Sequence, residues 1–234
     1  MISGFIALLL TFALALLWLR VNDFAAHRGW ISSRVSRKII HIGTGPIFVL
    51  CWLIFPDSSV SRYIASLVPL AITFQFFLIG IGVIQDPAAV QAMSRSGNPK
   101  EILRGPLFYG IIFVVCTIAF WYDTPIGIIA LMQMCGGDGL AEILGRNFGR
   151  DRFPWNRQKT WIGSLGMFLG GFLLSFIIML IYLGIGIFAI PITSLLSGLI
   201  LISVAATLVE TLPLNDVDNI TVTLTAVVLG IFLF

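Results

Sequence analysis

Charge is what this sequence has least of: Asp, Glu, Lys and Arg make up 11% of its 234 residues, against roughly 25% in an ordinary soluble domain. With 58% hydrophobic residues and a mean hydropathy of +1.02, a water-soluble fold of this length could not cover its own apolar surface. Lipid is the solvent. Polar stretches are too short to form a second domain, so a single membrane domain over residues 1–234 is expected. Cysteine is scarce too. Cys51, Cys116 and Cys135 each lie in an apolar run and form no C-x-x-C pair, which excludes a disulfide framework or a thiolate metal site. The only two histidines, His27 and His41, are too widely separated in sequence to mark a zinc site. Walker A and protein-kinase signatures are missing, and no run alternates as the strands of a membrane barrel must. The first apolar run lacks a basic leader and ends at Arg20, so it is expected to be a retained anchor.

What is present is a series of apolar runs, each near the roughly 20 residues a spanning helix needs. Eight are expected, at about 2–20, 39–56, 63–84, 106–121, 124–144, 162–184, 189–209 and 217–234, giving an all-α polytopic transmembrane bundle. Alternating eight helices across a bilayer puts 13 of the 14 Lys and Arg on one face, leaving Arg62 on the other. That face is expected to be cytosolic. The net charge of +3 therefore reflects topology and head-group contact, and nucleic acid is not an expected partner. The basic face also collects Asp138, Glu142, Glu210, Asp216 and Asp218. Transporters carry ionisable groups near the midplane or on broken helices. Charges crowded at one membrane edge favour an interfacial enzyme instead.

The densest chemistry lies between the fifth and sixth runs: Gly137-Asp138-Gly139, Glu142, Gly145-Arg146, Gly149-Arg150, then Arg157, Lys159-Thr160 and Gly163-Ser164. Glycines let backbone approach phosphate, and the cations neutralise it. A carboxylate such as Asp138 is what a nucleotide-borne Mg²⁺ requires. Thr160 and Ser164 open a helix whose N-terminal amides favour an anion. Gly166 and Gly170 read instead as helix packing. His41, following Arg37 and Lys38, is a candidate phosphate contact or general base, since nearby cations favour its neutral form. Glu210, Asp216, Asp218 and Asn219 make an acidic connection that could share a metal–triphosphate with the basic residues.

The run Gly137-Asp138-Gly139-x-Ala141-x-x-x-Gly145-Arg146-x-x-Gly149, followed by Lys159-Thr160-x-x-Gly163-Ser164, resembles the signature of the polyprenol kinases. That family includes phytol and dolichol kinases and is related to the CDP-diacylglycerol synthases. Arg37-Lys38-x-x-His41 with Gly45 resembles its basic entry to the second helix. Ser94-Arg95-Ser96-Gly97 through Leu103-Arg104-Gly105-Pro106-Leu107 resembles the corresponding phytol kinase loop. Two departures are Glu142, where phytol kinases favour Asp, and Asp216-Val217-Asp218-Asn219, where they carry an acidic pair before Asn. The resemblance implies CTP as phosphoryl donor, Mg²⁺, and a long isoprenoid alcohol as acceptor, phytol first, in a cyanobacterial or plastid membrane. It places Glu210 and Asp218-Asn219 in the family's last motif; Asp138, His41 and Lys159 are the catalytic candidates, with Arg95 and Arg104 among the expected phosphate contacts. Alternatives left open are a dolichol or geranylgeraniol kinase, a phosphatidate cytidylyltransferase making CDP-diacylglycerol, and a non-enzymatic transporter.

Overall fold

The computed structural model of the protein describes residues 3–94, 96–214 and 217–234, apart from the side chains of Ser33 and Ala92. It is an all-α membrane bundle. The helices are α1 (Gly4–His27), α2 (Ser33–Trp52), α3 (Ser61–Gly80), α4 (Pro87–Met93), α5 (Gly105–Ala119), α6 (Ile126–Met132), α7 (Gly139–Phe148), α8 (Trp161–Ile185), α9 (Ile192–Glu210) and α10 (Asp218–Leu233). A 3₁₀ turn, Pro99–Leu103, leads into α5, and a π-helix, Gln133–Asp138, joins α6 to α7. Six helical segments are long and apolar enough to cross a membrane, and Asp218–Leu233 is a shorter apolar helix. Among the described residues the only β-pairing is one isolated bridge, Arg152 to Thr160.

The largest boundary differences from the sequence expectation are at the first two helices. Helix α1 runs on past Arg20, and α2 starts at Ser33, so Arg34, Arg37 and Lys38 are helical rather than in a loop. A helix satisfies its own backbone, so it can continue beyond the apolar run wherever a polar cap ends it. Ser32 supplies that cap for α2, accepting from the Val35 amide at 3.3 Å. The 85–104 connection also gains structure, in α4 and the 3₁₀ turn. Asp86 caps the first at the Ala89 amide and Asn98 the second at the Lys100 amide.

The chain forms two compact units, Met1–Ile118 and Ala119–Phe234. In the first, a Cβ on Gly43 of α2 would lie 2.3 Å from the Trp18 ring. Glycine there lets the indole of α1 come up against the α2 backbone. From that position Trp18 Nε1 donates to the Ile40 carbonyl at 3.4 Å. Aromatic rings join α2 to α5, with centroid separations of 4.6 Å for His41–Tyr109, 4.8 Å for Tyr109–Phe113 and 5.6 Å for Phe48–Phe113.

In the second unit the continuous span α6–π–α7 packs against α8, α9 and α10. Its contact with α8 is a seam of glycines. A Cβ on Gly136 would meet the Gly170 carbonyl oxygen at 2.4 Å, one on Gly170 the Gly136 oxygen at 2.2 Å, and one on Gly166 the Leu140 oxygen at 2.8 Å. Lipid gives apolar side chains no reason to leave it, so small residues that bring backbones together hold such a pair. Thr160 caps α8 through the Gly163 amide at 3.0 Å, and Gly186 ends it in the left-handed conformation at φ 85°.

The seam makes a local prediction. Gly170→Ala should destabilise the protein by about 1–3 kcal/mol through overpacking. Gly184→Ala on the same helix, where no atom lies within 4 Å of the added Cβ, should be neutral or slightly stabilising. Thermal unfolding in detergent distinguishes them; equal losses in both would remove the seam from the account.

Candidate phosphoryl-transfer site

The site in the second unit is built from four helix faces. Ala141, Met167, Ala206 and Val222, one each from α7, α8, α9 and α10, form one buried apolar cluster. Residues three or four apart lie on the same helix face. Asp138, Ser164, Glu210 and Asp218 are each one turn from a member of that cluster, so the packing gathers these polar residues above it.

Lys159 stands at the centre. Its Nζ donates to Glu210 Oε1 at 2.5 Å and to Asp218 Oδ2 at 2.7 Å. Neither partner's place is wholly a local preference: Lys159 precedes the positive end of α8, and Glu210 closes the negative end of α9. Each offsets the other's unfavourable end. Asp218, in the first turn of α10, suits its helix dipole as well. Burial pulls the Lys159 pKa down, but the carboxylates of Glu210 and then Asp218 overcome this and raise it above its ordinary 10.5. Lys159 is thus a permanent cation, suited to charge neutralisation and not to accepting a proton. Glu210 is only 4% exposed, and its Oε2 is buried without a hydrogen-bond partner. The Asp138 charge acts on it as well.

The loop that carries Lys159 is tied down at several points. The Phe153 amide donates to the Lys159 carbonyl, and the Trp161 amide to the Asp151 carbonyl, both at 3.2 Å. Asn156, buried, donates through Nδ2 to the Thr211 and Leu212 carbonyls at 3.1 Å each, docking the loop on the end of α9. Sequence reasoning gave Asn156 no role. Its neighbours Pro154 and Trp155 mark a turn, but no residue pattern announces an amide that reaches a helix 55 residues away.

The other candidates fall as follows. Glu142 pairs with Arg146 one turn along α7, at 3.1 Å, while Arg150 and Arg157 are exposed. Ser164 is buried at the start of α8, its Oγ without a hydrogen-bond partner. Gly137 packs on Met167, and Gly145, Gly149 and Gly163 crowd around Thr160; Gly139 is buried at the start of α7. Their missing side chains permit these close approaches. Asn219 is half-buried in the first turn of α10. In the first unit, Arg37 Nη1 donates to the Ser94 carbonyl at 3.0 Å, and Lys38 is buried. The His41 carbonyl accepts from Tyr109 Oη at 2.8 Å, and Arg104 is exposed after the 3₁₀ turn. Arg95 and Asp216 lie outside the described residues.

Removing Lys159 alone would leave its carboxylates facing each other. Lys159→Met should cost roughly 2–4 kcal/mol, less than a fully buried pair because Lys159 and Asp218 keep part of their hydration. Adding Glu210→Gln should restore most of that loss. In the unaltered protein the raised Lys159 pKa keeps the lysine's side of the ion pair charged up to pH 10.5 on the alkaline side. It is lost only as pH climbs through the higher folded value. Unfolding curves of the three proteins against pH check both statements, and a lysine variant as stable as the parent would contradict them.

No protein-family model and no solved structure matches the chain. Among curated proteins it is 39% identical over 217 residues to a probable chloroplastic phytol kinase of Zea mays, covering 92% of this chain and 72% of that protein. It is 40% identical to probable phytol kinase 1 of Oryza sativa subsp. japonica, over 92% of this chain and 69% of that one. It is 38% identical to the chloroplastic phytol kinase 1 of Arabidopsis thaliana, over 86% and 66%. These likenesses span most of the chain, and the chain is a kinase of the phytol kinase family.

Proposed function

We propose that this chain transfers the γ-phosphoryl group of CTP to the hydroxyl of phytol, forming phytyl phosphate and CDP and releasing the hydroxyl proton. Phytol as acceptor follows from the names of its relatives, and CTP from the motif resemblance. The observation that carries the reading is the Lys159–Glu210–Asp218 cluster with the Asp138 charge beside it. Phosphoryl transfer asks a protein mainly for alignment and neutralisation of charge. A fixed ammonium flanked by carboxylates offers both.

The donor set fits Mg²⁺ carried by a nucleotide. Among the described residues no group of three His, Cys, Asp or Glu could hold a metal by itself, and Mg²⁺ typically relies on one or two carboxylates plus substrate phosphates. Glu210 Oε2, buried and unpartnered, is an acceptor in want of a cation. Asp138, helped by Glu210 or Asp218, would hold the ion together with the nucleotide's phosphates, with Glu142, Asp216 and Asn219 as the remaining candidates. When bound, it would neutralise charge on the transferred group. Lys159 would contribute a second positive charge, with Arg146, Arg150 and Arg157 at the exposed rim. Ser164 Oγ and the α8 amides beyond Thr160 offer donors to a phosphate oxygen. In the first unit, Arg37, Lys38, Arg95 and Arg104 are proposed as phosphate-neutralising cations and His41 as a proton acceptor, on residue type. We propose the whole chain, 1–234, as one catalytic domain.

A membrane setting suits this chemistry, because the acceptor's long hydrocarbon tail keeps it in the bilayer while its hydroxyl stays at the polar edge. The proposed location is a plastid or cyanobacterial membrane, with the basic loops on the nucleotide-containing side.

The test is an assay of purified protein with CTP labelled on its γ-phosphate, Mg²⁺ and phytol. Label should appear in a phytol-dependent lipid with release of CDP. Pyrophosphate release with phosphatidate would instead make the chain a cytidylyltransferase. Asp138→Asn should lower kcat by about 10²–10³-fold, the scale for losing one electrostatic stabiliser of a transition state. Full activity in that variant would sink the assignment.

A further inference from the structure

The span that delivers Asp138 contains an irregularity that the proposed chemistry leaves unexplained. Helix α6 is regular to Met132, then widens into the π-helix Gln133–Asp138, and α7 resumes at Gly139. A π-turn holds one residue more than an α-turn. Everything beyond it is therefore rotated by about 100° relative to an uninterrupted α-helix. Gln133 opens the π segment and Asp138 closes it, with Glu142 one α-turn further on.

Gln133 is fully buried, at 0% exposure, as are Ser175 of α8 and Ser203 of α9. Its Nε2 donates to Ser203 Oγ at 2.8 Å and to Ser175 Oγ at 3.3 Å. Its Oε1 is buried without a hydrogen-bond partner. That oxygen rests against Gly171, where a Cβ would approach it to 2.2 Å. One amide thus fastens the first residue of the π segment to two neighbouring helices, and a glycine makes room for it. An unpaired carbonyl in a lipid-embedded core is a cost that an apolar residue of the same shape would avoid. The segment also abuts the glycine seam, where Gly136 meets the Gly170 backbone, so its register cannot slip without opening the α8 contact.

We infer that Gln133 is a positioning residue: its amide, bonded to Ser175 and Ser203, holds residues 133–138 in the π register and thereby turns Asp138 toward the Lys159–Glu210–Asp218 cluster. The inference rests on the proposed role of Asp138 as a carboxylate for the nucleotide-borne cation. Without the anchor, the span can relax toward a continuous α-helix and carry Asp138 round the axis. Sequence shows none of this, because a lone Gln in an apolar run looks the same whether it is tolerated or used.

The experiment uses the full chain in lipid nanodiscs and compares Gln133→Leu with the Ser175→Ala/Ser203→Ala pair, so that failure of one variant to fold leaves the other. Hydrogen exchange across residues 133–139 reads the register directly, with no nucleotide or metal present. Both variants should lose protection there while keeping it in the rest of α8 and α9. The KM for Mg²⁺·CTP should rise by about ten- to a hundredfold, the usual cost of losing a residue that orients a metal-site ligand, with the KM for phytol unchanged. Mn²⁺·CTP binding, followed by electron paramagnetic resonance, should weaken in Gln133→Leu but not fall further when Asp138→Asn is added. Unchanged exchange at 133–139, or losses in the double variant that simply add, would overturn the inference. If Asp138→Asn alone binds Mn²⁺·CTP normally, the role of Asp138 fails instead, and the exchange result still decides whether Gln133 holds the register.

Discussion

The second unit depends on one ammonium ion. Lys159 sits between Glu210 and Asp218 and binds together three chain segments that are far apart in sequence: the loop before α8, the end of α9 and the start of α10. Glu210 is nearly inaccessible to water, where an unpaired carboxylate is strongly disfavoured. It can be there because the lysine is there, and the lysine because Asn156 and the loop's own backbone bonds hold it in reach.

Beneath that cluster the glycine seam does the mechanical work. Apolar side chains in lipid gain little by clustering, so α7 and α8 are held through backbone approach at Gly136, Gly166 and Gly170. Such contact tolerates almost no displacement. The π segment takes part in it through Gly136. Rigid support beside a charged site is what an enzyme of this kind needs, since the transferred group must be held in line between donor and acceptor.

Much of this was legible beforehand. Eight apolar runs, basic residues confined to alternate connections and the absence of strand alternation require a helical membrane bundle, because a bilayer admits no other way to satisfy the backbone. Gly166 and Gly170 read correctly as packing residues, each too close to the facing backbone for a Cβ. The partner of Lys159 was not legible. Asp151 is the acidic residue nearest to it in sequence on that face, yet Lys159 pairs with Glu210 and Asp218, 51 and 59 residues away. Nor were the packing partners of several glycines: Gly145, Gly149 and Gly163 come together around Thr160.

Composition and hydrophobic run length, by themselves, determined that this protein is a helical membrane protein. The order of its motifs pointed to its family. Those properties are local or additive: each helix is read from its own residues, and each motif from its own spacing. Which carboxylates share a cation, which glycines carry packing and which amide anchors the π segment were decided only by tertiary structure. Gln133 meets Ser175 and Ser203 across 42 and 70 residues of chain, and pairings of that kind depend on how helices rotate against one another, a property that no single helix contains.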